Sequence, residues 1–146
     1  MKMEFKTSEI MKLTTLIISL FLIACASKED IVPTQIVGKW APAYILQTKN
    51  ADGTWGDWTT INTLIAIPVI EFTSDGRFLT DGKPGANCCY AGNKYSISEN
   101  TIDFTERLSC PNVDCVAYSA WTIYSLKNNV LILETGTIRK KYTKTK

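Results

Sequence analysis

The chain has 146 residues, enough for one domain behind a targeting segment and too few for two. It carries 16 Lys or Arg against 14 Asp or Glu, a net charge of +2, and no histidine. The near balance removes the broad basic field that nucleic-acid binders use, and the missing imidazole excludes Ser-His-Asp and Cys-His catalysis, so no enzymatic activity, cofactor, metal or nucleic-acid partner is expected.

The first element in chain order is the uncharged, mostly apolar run from Leu13 to Ala24, preceded by Lys12 and ended by Cys25. It is shorter than the about 20 residues that a spanning helix needs, so it reads as the core of a signal peptide. Leu22, Ile23, Ala24 and Cys25 resemble the lipobox of bacterial lipoproteins. That resemblance implies removal of residues 1–24, lipid on the Cys25 thiol, and anchoring to the cell envelope, specifically the outer membrane. The competing reading is a buried, unmodified Cys25. Met11 is an alternative start to Met1. Residues 25–35 form a polar tether, in which Ser27, Lys28, Glu29 and Asp30 serve either as a solvated linker or as an address to the outer face.

From residue 36 to 146 no helical stripe of any length occurs, while β-branched and aromatic residues recur in short runs between turn residues, the pattern of an all-β domain. Ile36 to Thr48 is the first strand region and ends at Asn50, Ala51, Asp52, Gly53. Ile65 to Thr73 is the second and reverses at Ser74, Asp75, Gly76 into Arg77 to Thr80. Lys94 to Ser98 turns at Glu99 and Asn100 into Thr101 to Thr105, where Ile102 and Phe104 alternate with polar residues. Val116 to Leu126 reads as the longest strand and turns at Asn128 and Asn129 into Val130 to Thr135, and Thr137 to Thr143 closes the series. About eight strands joined by tight turns predict a single up-and-down antiparallel β-barrel, the size that either fills with side chains or holds one small ligand.

Gly38, Lys39 and Trp40 match the glycine, any residue, tryptophan signature of lipocalins. Phe72 to Gly76 and Tyr142, Thr143, Lys144 look like corresponding segments of the lipocalin-like domains of short bacterial lipoproteins. The resemblance covers most of Ile36 to Lys144, with 52–64 as a departure and no C-terminal helix. It implies that Trp40 packs across the closed barrel end under a basic residue of the last strand, Arg139 or Lys140.

Besides Cys25 the chain has Cys88, Cys89, Cys110 and Cys115, an even count that reads as disulfides in an oxidising compartment. A hairpin turning at Glu99 and Asn100 places partners whose numbers sum to 199 opposite each other, so Cys89 is expected to join Cys110, leaving Cys88 for Cys115. Four cysteines can also hold zinc, but the spacing lacks paired C-x-x-C knuckles. Trp55 and Trp58, in a short polar loop, either line a ligand mouth or plug one barrel end. With Tyr118 and Trp121 they form the candidate ligand site. The expected function is binding of a small apolar or amphipathic ligand, or of an envelope protein. Its competitor is a protease inhibitor or structural accessory whose barrel is filled by Phe72, Phe78, Tyr95, Phe104, Tyr118 and Trp121. A cavity of about 300 Å³ or more separates the two.

Overall fold

The computed structural model describes residues 33–114, 118 and 120–146. The expected signal peptide, Cys25 and the tether through Val32 lie outside the described residues, as does Cys115.

The described chain is all-β apart from one helical turn, α1 (Pro33–Ile36). Its strands are β1 (Gly38–Thr48), β2 (Thr59–Thr60), β3 (Ile70–Phe72), β4 (Phe78–Thr80), β5 (Lys83–Pro84), β6 (Lys94–Ser98), β7 (Thr101–Thr105), β8 (Ala120–Lys127), β9 (Val130–Thr135) and β10 (Ile138–Lys144). They form one antiparallel, curled half-barrel sheet in the order β5-β4-β3-β1-β10-β9-β8-β7-β6, with β2 attached to β1. The curl brings β4 and β6 together at a single bridge, Arg77 with Lys94. There the Phe78 N–H donates to the Asn93 carbonyl at 2.8 Å and the Tyr95 N–H to the Gly76 carbonyl at 2.9 Å.

Local chemistry accounts for the turns. Asn128 and Asn129 both take positive φ, 51° and 62°, as the tight hairpin turn that follows strand twist requires. Glu99 does the same at 53°, and the hairpin it serves pairs Lys94 with Thr105 and Ser98 with Thr101, the expected register. In β7 Ile102 and Phe104 are buried and Asp103 and Thr105 exposed, as one buried face demands.

Two expected strands differ in extent. Ile65 to Thr73 contracts to Ile70–Phe72, because Pro68 cannot donate to a ladder, and Leu64 and Ile65 stand exposed. The strand expected from Val116 is described only from Ala120 on, and the Tyr118 N–H bonds the Cys89 carbonyl rather than a neighbouring strand. Among the described residues the longest strand is β1, with 11 residues. Tyr44, at φ 55°, marks an irregularity in β1, whose register against β10 shifts between Pro42 and Leu46.

The inner face of the sheet holds the core. Ile36, Trp40, Ile102, Ile123 and Leu131 are buried to 1% exposure or less. An aromatic cluster fills part of the interior, with Phe78 at 5.2 Å from Phe72 and from Phe104, and Trp121 edge-on to Phe104 at 4.8 Å.

Candidate functional site

The aromatic cluster does not fill the sheet's interior. A cavity of about 330 Å³ remains beside it, walled by Ile70, Phe78, Trp121, Leu133, Ile138 and Tyr142. This lies within the roughly 300–1,000 Å³ range of small-molecule sites. The wall arises from strand alternation: in β10, Ile138, Lys140 and Tyr142 share the face that lines the cavity, whereas Arg139 and Lys141 lie on the other.

Polar side chains share the wall with the apolar ones, Thr80 and Thr135 among them. Tyr142 is only 6% exposed, and no group among the described residues hydrogen-bonds its hydroxyl. Desolvation pushes its pKa up to about 12, so it stays protonated. Partial desolvation against the wall lowers the Lys140 ammonium below its ordinary value, although the residue as a whole is exposed, and no described carboxylate pairs with it. Trp121, 9% exposed, has a buried indole N–H without a hydrogen-bond partner. Asn87 also lines the cavity, and its side-chain oxygen accepts from the N–H groups of Cys89 (3.0 Å) and Tyr90 (2.6 Å).

Tyr90, about half exposed, stacks on Tyr118 with ring centroids 6.0 Å apart, and both border the cavity. Tyr118 lies directly over Gly136, where a Cβ would run into its ring, so the turn between β9 and β10 needs glycine. Its carbonyl accepts from the Arg107 guanidinium at 2.8 Å.

A disulfide stitches this end, but with different partners from those expected. Cys88 bonds Cys110, with Cα atoms 5.5 Å apart, and Cys89 is itself disulfide-bonded. The expected Cys89–Cys110 and Cys88–Cys115 pairing is thereby corrected. The 199 register holds as far as the Asn93 to Glu106 backbone bond. Beyond it Glu106 turns through positive φ, and the chain from Asn87 to Ala91 closes on itself through an Asn87 N–H to Ala91 carbonyl bond, which shifts the cysteines by one position.

The opposite end is closed by Trp40. It is 1% exposed, and its indole N–H donates to the Ile36 carbonyl of α1 at 2.7 Å. Its cation is Lys144, with Nζ 5.2 Å from the ring, and not Arg139 or Lys140. Register explains the correction, because Lys144 is the residue directly opposite Trp40 on β10. Gly38, at φ 130°, leaves the space that the Lys144 stem occupies, since a Cβ there would come within 2.9 Å of its Cε.

Arg139 acts elsewhere. Its guanidinium lies between the rings of Trp55 (3.8 Å) and Tyr124 (3.6 Å) and pairs with Glu134 at 2.9 Å, leaving the side chain 11% exposed. Lys141 sits 4.9 Å over Trp58. Trp55 and Trp58 are thus held against the cationic face of β10, and they neither line the cavity nor plug an end. Of the four candidate ligand residues, the structure brings Tyr118 and Trp121 together at the cavity. Lys140 and Tyr142 were missed, although their two-residue spacing from Ile138 carried the signal.

Comparison with known proteins finds no matching family model, no matching curated protein and no matching solved structure.

Proposed function

We propose that this chain is a lipid-anchored envelope lipoprotein whose lipocalin-like barrel binds a small apolar or amphipathic ligand. The cavity carries the reading: about 330 Å³ of apolar-walled space beside a well-packed aromatic cluster is what a binding module needs and a filled accessory barrel lacks. Strand order supports the barrel. Each of β1, β3, β4, β6, β7, β8, β9 and β10 is antiparallel to the next, with the β4 to β6 step made by the Arg77 bridge and the last strand returning to the first. The anchor rests on the lipobox and the short apolar run before Cys25.

The test uses the neutral fluorophore N-phenyl-1-naphthylamine. Saturable fluorescence enhancement at one site per chain, abolished by Leu133→Trp, which fills the cavity, is the expected result. No enhancement returns the domain to the inhibitor or accessory reading. For the anchor, Cys25→Ala should leave the detergent phase on partitioning.

A further inference from the structure

Resting on the binding reading above, we propose that the cavity selects an amphipathic anion, its acidic head held by Lys140 and Tyr142 and its tail along Ile70, Phe78 and Leu133. Among the described residues no carboxylate lines the cavity, and Lys140 is the one charged group on its wall. Tyr142 is a buried residue whose hydroxyl opens on the cavity and has no hydrogen-bond partner among the described residues. A protonated phenol needs an acceptor to satisfy its hydrogen, as an ammonium does. Asn87 contributes in the same sense: two backbone N–H groups already occupy its oxygen, leaving its NH₂ as the unused half of the amide. These donors without acceptors, beside the unpaired Trp121 N–H, are complementary to an oxyanion on an apolar tail and mismatched to a cation.

Position supports the division of roles. Lys140 and Tyr142 are two residues apart on one face of β10, so one oxyanion can reach both, while Leu133, directly opposite Lys140 on β9, begins the apolar wall. Lys140 has no carboxylate partner among the described residues, so its charge at the cavity is open to an incoming anion.

Four ten-carbon competitors test this against bound N-phenyl-1-naphthylamine: decanoate, decyl phosphate, decanol and decyltrimethylammonium. Both anions should displace the probe at least about tenfold better than decanol, with the cation weakest. The better anion identifies the head as carboxylate or phosphate. Lys140→Met should remove the anion advantage, read as decanoate against decanol on the same variant, whose folding circular dichroism checks, and Tyr142→Phe should reduce it by a smaller factor. Equal displacement by decanol and decanoate, or an anion advantage unchanged in Lys140→Met, overturns the anion proposal and leaves the apolar-ligand reading standing. Failure of the probe itself to bind overturns both.

Discussion

The ladder between β1 and β10 builds both ends of the interior, and it finishes them in opposite ways. At Trp40 the indole N–H meets the Ile36 carbonyl, the ring lies under Lys144, and α1 covers the side chain. Two positions along β10, Tyr142 turns a hydroxyl with no partner among the described residues toward the cavity, and Trp121 across it leaves a buried N–H unbonded. An unmade hydrogen bond on a buried donor costs about 1–3 kcal/mol. The contrast teaches that the Trp40 end is arranged for stability, while the cavity end carries donors whose partners must come from elsewhere.

The sharpest test of the contrast is truncation. Trp40→Ala should destabilise by about 3–5 kcal/mol in denaturant titration, because it removes a large apolar area and leaves a cavity under α1. Trp121→Phe should cost under about 1 kcal/mol, since it deletes a donor that is already unpaired. If Trp40→Phe and Trp121→Phe prove equal, the two ends are not different in kind.

The next effect concerns the stitched end. Replacing Cys88 and Cys110 by serine should lower stability by about 2–4 kcal/mol, chiefly by freeing a loop of sequence separation 22 in the unfolded chain. Non-reducing peptide mapping should find the Cys88 to Cys110 link and Cys89 joined to Cys115, with no free thiol among these four. Bound zinc in the purified protein would break this part of the comparison.

Tyr142 adds a pH signature. Its folded pKa of about 12 lies above the ordinary value of 10.0, so the unfolded chain loses the phenolic proton first. The associated stability is fully present below pH 10 and declines as pH rises toward 12, by about 2–3 kcal/mol in all. Tyr142→Phe should flatten that decline in alkaline denaturation curves. The smallest effect belongs to the outer face, where Trp55→Ala should cost about 1 kcal/mol through loss of its contact with Arg139, and Trp58→Ala less, because Trp58 and Lys141 are more open to water.

Much of the fold was legible because it depends on neighbours in sequence. The Asn128–Asn129 and Glu99–Asn100 turns, the alternation of Ile102 and Phe104, and the 199 register are all local, and the structure repeats them. What failed depends on distant residues. Extending the register to the cysteines assumed that the ladder continues, whereas Glu106 and the Asn87–Ala91 turn end it. Choosing Arg139 or Lys140 as the cation over Trp40 placed a basic residue on the right strand but four or five positions from the register partner, Lys144. The Trp55 loop was read by its composition, yet its position follows from the cations that β10 presents on its outer face. Tyr118 and Trp121 were legible as large aromatics facing the interior, while the volume left beside them could not be read from any local pattern.

The pairing of β1 with β10 also sets a schedule. Trp40 lies opposite Lys144, about a hundred residues later, and before those residues exist β1 has only short partners in β2 and β3. Contacts so distant in sequence slow the search for the native state. The strand that emerges first must therefore wait for the one that emerges last, with Trp40 uncovered meanwhile, and in that interval self-association competes with completion of the fold.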